Sequence, residues 1–269
     1  MAAAILSPSP RAGLLRPRIA VLPLTAMAKT AGIILIGNEL LSGKVVDENA
    51  SYLCRELRGL GVTVRKISVI PDEVDLIAAE VAPQSRAFDV VFTSGGVGPT
   101  HDDVTIEGVA RALGVRVVRD SYLVDLLQGF YKGRLTEARL KMAEVPEGAE
   151  LVGGTGLVFP AVVIRNIHVL PGVPEIFRQK FEALKERFRE SPFFLTSVFV
   201  SMGEGTLADY LNELLRRHPD LMLGSYPEFA NPEYKVKVTL ESKDRELMER
   251  AVAELLGDLP SDAVVRVQR

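Results

Sequence analysis

Apolar and polar positions along the chain change period in a regular order. Residues 32–36 (GIILI) form a continuous apolar run, the pattern of a short strand buried on both faces. Residues 47–60 follow with helical spacing, with Asp47 placed to cap them and Gly59 and Gly61 to stop them. Residues 62–70 alternate as a second strand, and Pro71, Asp72 and Glu73 open a second helix whose acids suit its dipole. Residues 88–93 (FDVVFT) predict a third strand, and residues 102–113 a third helix ended by Gly114. Strand and helix thus alternate across short loops, which predicts a parallel sheet wrapped by helices. Residues 121–144 carry one amphipathic helical pattern. Residues 160–165 and 167–170 predict two strands joined at Arg165-Asn166, and residues 173–190 a further helix broken by Ser191-Pro192.

The pattern then restarts as a small α+β unit: strand 194–200, helix 204–217, strands 221–225 and 234–240, helix 244–257 and strand 263–267. The expected division is an α/β domain over 30–191 and a small domain over 193–269. Residues 1–26 differ in composition, being rich in Ala, Leu, Pro and Ser with Arg11, Arg16 and Arg18 and no acid. They suit either an organelle transit peptide or a start assigned upstream of Met27, and the second is preferred. The expected compartment is the cytoplasm, or an organelle if the leader is a genuine transit peptide.

Composition narrows the chemistry. Hydrophobic residues make up 47% of the 269 positions and charged ones 25%, a globular mix. The longest run without a formal charge, 151–164, has 14 residues, short of the ~18 that suggest a membrane span. Cys54 is the only cysteine and reads as a buried apolar residue, and His101, His168 and His218 never stand at a ligand-pair spacing. No zinc, haem or iron–sulfur site is expected. The formal net charge is −3, but the basic leader leaves residues 31–269 at −7. An acidic body argues against a nucleic-acid partner.

Three loops fall at carboxyl ends of predicted strands, where a parallel sheet holds its ligand. The longest reads Thr93-Ser94-Gly95-Gly96-Val97-Gly98-Pro99-Thr100-His101-Asp102-Asp103. Its glycines allow close approach to a phosphate, and the following helix points N–H groups back at it. Two bare acids at that helix start repel a phosphate, a conflict that a hard divalent cation resolves. Helix capping accounts for one acid but not for three glycines and a proline. His101 is either a ligand contact or an idle, water-facing residue. After the first strand, Gly37-Asn38-Glu39 supplies Glu39 as a candidate third carboxylate, or as a partner for loop backbone. Pro171, Gly172 and Glu175 lie between a strand and a helix, where turn chemistry alone calls for such residues.

GNELLSG (37–43), TSGGVGPTHDD (93–103), KMAEVP (141–146) and LPGVPE (170–175) together resemble the molybdopterin-binding (MoaB/Mog-like) domain family. Within it the chain is most similar to the amino-terminal domain of eukaryotic-type FAD synthases and the amino-terminal part of CinA proteins. Gly224-Ser225-Tyr226-Pro227 matches a KH-like domain of that branch. The resemblance implies a three-layer α/β/α domain with a mostly parallel sheet, a pterin or nucleotide-like ligand, and a homo-oligomer. It implies either metal-dependent (Mg²⁺, Mn²⁺ or Co²⁺) hydrolysis of a pyrophosphate bond in ADP-ribose or FAD, or pterin binding or adenylylation. A non-catalytic nucleotide-binding module is the third possibility. Carried over, Gly95, Gly96, Gly98 and Thr100 hold phosphate with Gly37, Pro171, Gly172 and Glu175 nearby. Asp102 and Asp103 bind metal or activate water, Glu39 assists, and Tyr226 covers the site. Residues 153–159 depart from the family's pattern. Residues 195–269 hold nine Lys and Arg against 13 Asp and Glu, so the KH-like unit is not expected to bind RNA. The transferase domain of FAD synthases is not read within residues 1–269, so FAD synthesis is not expected of them.

Overall fold

The computed structural model describes residues 30–153 and 158–269; the leader 1–26 and most of the stretch 153–159 lie outside the described residues. The first domain runs β1 (Thr30–Ile36), α1 (Asn38–Leu41), α2 (Asn49–Gly59), β2 (Thr63–Ile70), α3 (Val74–Ala87), β3 (Val90–Ser94), α4 (Thr105–Leu113) and β4 (Val117–Arg119). It continues through α5 (Ser121–Phe130), α6 (Glu137–Lys141), β5 (Glu144–Pro146), β6 (Glu150–Val152), β7 (Ala161–Ile164), β8 (Ile167–Leu170) and α7 (Pro174–Leu184), extended by a 3-10 turn over Lys185–Phe188.

Six strands form one sheet in the order β2-β1-β3-β8-β7-β6. The first four are parallel; β7 and β6 run antiparallel at one edge. The two-residue turn between β7 and β8 is the expected Arg165-Asn166, with Arg165 in the left-handed region at φ 52°.

The apolar run of β1 is buried on both faces, as its composition requires. Ala31, Ile33 and Leu35 pack with Leu53 and Leu57 of α2 and Phe177 and Phe181 of α7. Ile34 and Ile36 pack on the other face with Ile77 and Val81 of α3 and Val109 of α4. Successive strand side chains alternate faces, so one strand anchors both helical layers. Each such side chain contributes about 1.5–3 kcal/mol on burial. The result is a three-layer α/β/α domain.

Three differences from the sequence pattern matter. Residues 121–144 are two helices, not one; the chain breaks at Lys132 (φ 50°) and Gly133 (φ 77°), both in the left-handed region. The second helix begins at Val74, which leaves Asp72 in the preceding loop. The third predicted helix begins at Thr105, so Asp102 and Asp103 precede it.

The second domain runs β9 (Phe194–Val200), α8 (Glu204–Arg217), β10 (Met222–Pro227), β11 (Val236–Ser242), α9 (Arg245–Asp258) and β12 (Val264–Gln268). Its antiparallel sheet has the order β10-β11-β9-β12. Val198, Val200, Val236 and Val238 pack under Leu207 and Leu211 of α8 and Val252 and Leu255 of α9. The joint between domains lies at the end of α2. The Glu190 N–H donates to the Leu60 carbonyl (2.7 Å), Lys243 pairs with Glu190 (2.6 Å), and Arg58 pairs with Glu241 while stacking on Phe193. Among the described residues no helix is long and apolar enough to cross a membrane.

Candidate functional site

The strand order reverses at β1, with β2 on one side and β3 on the other, so the loops leaving β1 and β3 meet at the topological switch point. Four loops converge there. The Gly37 N–H donates to the Ile70 carbonyl at the end of β2 (3.1 Å), and the Gly95 N–H donates to the Leu170 carbonyl at the end of β8 (3.2 Å). Asn49, buried at the first turn of α2, clamps two more: its amide donates to the Ser94 hydroxyl (3.0 Å) and to the Gly172 carbonyl (2.8 Å). The clamp fixes the ends of β3 and β8 against α2.

The glycines have separate tasks. At Gly95 (φ 108°) a Cβ collides with the Ile36 carbonyl, so only glycine lets β3 leave the sheet this close to β1. Its N–H is committed to Leu170 and not free for a phosphate. Gly96 (φ 61°) turns the loop over Thr105, whose N–H and hydroxyl donate back to the Gly96 carbonyl (3.0 Å) and the Gly95 carbonyl (2.8 Å). Among the described residues the N–H groups of Gly96, Val97 and Gly98 have no hydrogen-bond acceptor.

Beyond the glycines the acids gather on one hydroxyl. The Thr100 Oγ1 lies 2.5 Å from an Asp102 oxygen and 2.6 Å from an Asp103 oxygen, and the Thr100 N–H donates to Asp103 (2.7 Å). With one hydrogen, the hydroxyl serves one carboxylate at a time. Thr100 therefore organises the two acids; its own donors are not free. The acids cap this turn and not α4, since Thr105 closes the helix start onto the loop. The Thr100 hydrogen bond holds the Asp102 carboxyl below the usual range, helped by the charges of His101 and Lys141. His101 is exposed, with Nδ1 3.9 Å from Asp102.

The sequence pattern passed over a further acid. Asp72 follows β2 and accepts the Asn38 N–H (2.8 Å), which ties it to the one-turn helix α1. Burial pushes the Asp72 carboxyl up; the Asn38 N–H opposes this, and the charges of Glu39, Asp102 and Asp103 add to it. The Glu39 carboxylate folds back over Gly37. Asp72, Glu39 and Asp102 share a shallow open cleft with Asn38, Ser42 and Lys44. Among the described residues no three His, Cys, Asp or Glu side chains close around a single ion.

On the other side of the glycine loop is a hollow of about 270 Å³. Its walls are mostly apolar: Val97, Ile106, Leu127, Phe159, Val162 and Ile176. Asp103 reaches it from the loop and Pro171 from the end of β8, while Lys141 and Lys180 bring cations. Lys141 donates to the Thr100 carbonyl (3.0 Å). Lys180 is largely buried, donates to the Pro160 carbonyl (2.8 Å), and burial pushes its ammonium down to about 8. A lysine on a helix reads as a solvated residue; only packing shows otherwise.

Glu175 is exposed on the first turn of α7 and lines neither cavity. Tyr226 does not cover the site. It lies on β10, its ring folded over Gly224, on the side of the small domain that faces Arg58. Arg58 ends α2, whereas Asn49 at the start of α2 touches the site loops. Eleven helical residues, about 16 Å, separate the two edges.

This fold and loop arrangement define the class. Residues 32–190 match the family described as a probable molybdopterin binding domain, and residues 192–268 match the FAD synthase middle domain. The chain belongs to the molybdopterin-binding (MoaB/Mog-like) domain family and carries the FAD synthase middle domain after it. A protein of Archaeoglobus fulgidus is 40% identical over 229 residues, covering 84% of this chain and 97% of its own. A Caenorhabditis elegans protein named as a probable FAD synthase is 36% identical over 262 residues, covering 87% of this chain and 50% of its own. The chain thus spans half the length of that relative. The solved CinA protein of Thermoplasma acidophilum, described as of unknown function, is 31% identical with a TM-score of 0.56, covering 60% of this chain and all of its own.

Proposed function

We propose that the chain is a divalent-metal-dependent nucleotide pyrophosphatase, acting on a dinucleotide of the FAD or ADP-ribose type and releasing AMP. The observation that carries this reading is the acid cluster of Glu39, Asp72, Asp102 and Asp103 beside a loop whose Gly96, Val97 and Gly98 N–H groups are uncommitted. Four carboxylates with few cations among them suit a cation, and the mutual repulsion that pushes Asp72 up is what such an ion relieves. Mg²⁺ or Mn²⁺ takes one or two carboxylates and fills the rest with water and phosphate oxygens, so Asp102 and Asp103 are donors enough in this reading.

In this reading Asp102 and Asp103 hold the ion, whose chemistry is to neutralise phosphoryl charge and favour hydroxide. The free N–H groups bind a phosphate, and the apolar hollow takes a flat ring and excludes water from it. A water oxygen bonds to one phosphorus and the bridging oxygen leaves with the other half, giving two monophosphates. The water proton passes to a carboxylate, with Asp72 suited to accept it because its neighbours favour its protonated form.

The test is a product assay on the full chain with FAD or ADP-ribose and Mg²⁺, Mn²⁺ or Co²⁺, chromatographed for AMP. AMP that vanishes with chelator and in Asp103→Ala upholds the reading. No AMP under any metal shifts it to pterin binding, which the family membership and the apolar hollow favour as the second reading.

A further inference from the structure

Among the described residues Lys180 makes no ion pair, although Asp103, Glu107 and Glu144 also line the hollow. Lys180 sits one turn after Ile176 on α7, and both line the cavity while Phe177 and Phe181 face the core. An ammonium has three donors and no acceptor, and the Pro160 carbonyl accepts one. Among the described residues no carboxylate pairs with Lys180. Asp103 is engaged by Thr100, Glu144 lies 3.5 Å from Arg119, and Lys141 is committed to the Thr100 carbonyl. Glu107, on the first turn of α4, lines the hollow but makes no ion pair with Lys180. A largely buried ammonium with donors to spare is costly unless something supplies acceptors. In an apolar hollow beside a phosphate-binding loop, that something is the ligand.

We propose that Lys180 is the specificity-determining residue of the hollow, donating to the carbonyl edge of an oxo-substituted ring and so preferring oxo-heterocycles to amino-substituted ones such as adenine. The proposal rests on the nucleotide reading above and adds which end of the ligand enters the hollow. In a dinucleotide that joins adenosine to a second group, the second group lies against Lys180 and the adenosine end lies outside.

Inosine and adenosine 5′-monophosphates form the minimal pair, identical in phosphate and ribose and differing in the oxo or amino group. The full chain with Mg²⁺ is titrated calorimetrically with each. The wild type is expected to bind the inosine nucleotide about tenfold more tightly, the scale of one hydrogen bond to a charged group. Lys180→Met brings the ratio to within twofold of unity by weakening the inosine nucleotide more than the adenosine nucleotide, and Lys180→Arg keeps a preference. An unaltered ratio in Lys180→Met, or equal loss of both ligands, makes Lys180 a strut for Pro160 and overturns the proposal while nucleotide binding stands. A wild type without preference overturns it equally. If the wild type binds neither monophosphate nor FAD, the nucleotide reading falls as well.

Discussion

The acidic cleft and the apolar hollow lie on opposite sides of one loop and differ in almost every physical respect. The cleft is open, shallow and carries Glu39, Asp72 and Asp102. The hollow is walled by Val97, Ile106, Leu127 and Phe159 and carries Lys180. Glu39 and Asp102 in the cleft are exposed and Asp72 is half-buried, whereas the Lys180 charge is largely buried, so its ionisation responds strongly to its surroundings. Both regions are reached through the same backbone because Gly95, Gly96 and Gly98 place no side chain between them. The contrast teaches that one short loop separates an open acidic surface from a mostly apolar recess.

Removing the glycine loop's acids, Asp102 on the cleft side and Asp103 on the hollow side, breaks the comparison most severely. Asp102→Ala and Asp103→Ala are each expected to lower AMP release by about 10²-fold or more, with melting temperature within a degree or two, because neither acid supports the core. Wild-type turnover in both variants removes them from the chemistry.

Forcing the two sides apart comes next. Gly95→Ala places a Cβ against the Ile36 carbonyl at φ 108° and is expected to destabilise the domain by roughly 3 kcal/mol, measured by urea unfolding. An unchanged midpoint shows that β1 and β3 have room to separate.

The cleft's electrostatics are sharpened by Thr100→Ala. Its hydroxyl favours the ionised form of Asp102, so its loss raises that carboxyl, and the acid limb of the pH–rate profile moves to higher pH. An unmoved limb means that a different group controls it.

On the hollow's side the sign is opposite. The Lys180 ammonium is lowered from 10.5 to about 8, so the unfolded chain binds the proton more tightly and stability rises with pH across that window. Lys180→Met is expected to remove this slope and to gain about 1 kcal/mol at pH 7, because it no longer buries an unpaired charge. A retained slope assigns it to another group. The smallest effect belongs to Tyr226→Phe, which is expected to change nucleotide affinity less than twofold because the ring lies at the far edge.

What the chain made legible was local. The run of β1, the alternation of β2 and the spacing of α8 and α9 were readable because neighbours in sequence are neighbours on one face. The glycines and the acid pair were readable as one unbroken string. Asp72 was not, because it reaches Asn38 only through the parallel pairing of β1 with β2. Asn49 and Lys180 were hidden for the same reason: their partners Gly172 and Pro160 lie 123 and 20 residues away. Tyr226 was misplaced because a motif in the second unit carries no information about which edge of the first unit it meets.

The small domain's attachment at the end of α2 has a practical side. A surface tether, fluorophore or fusion partner fixed to β10 or β11 stands at the end of α2 opposite the Asn49 clamp. The molecule can therefore be immobilised or labelled by its small domain while the loops of the candidate site stay clear of the attachment.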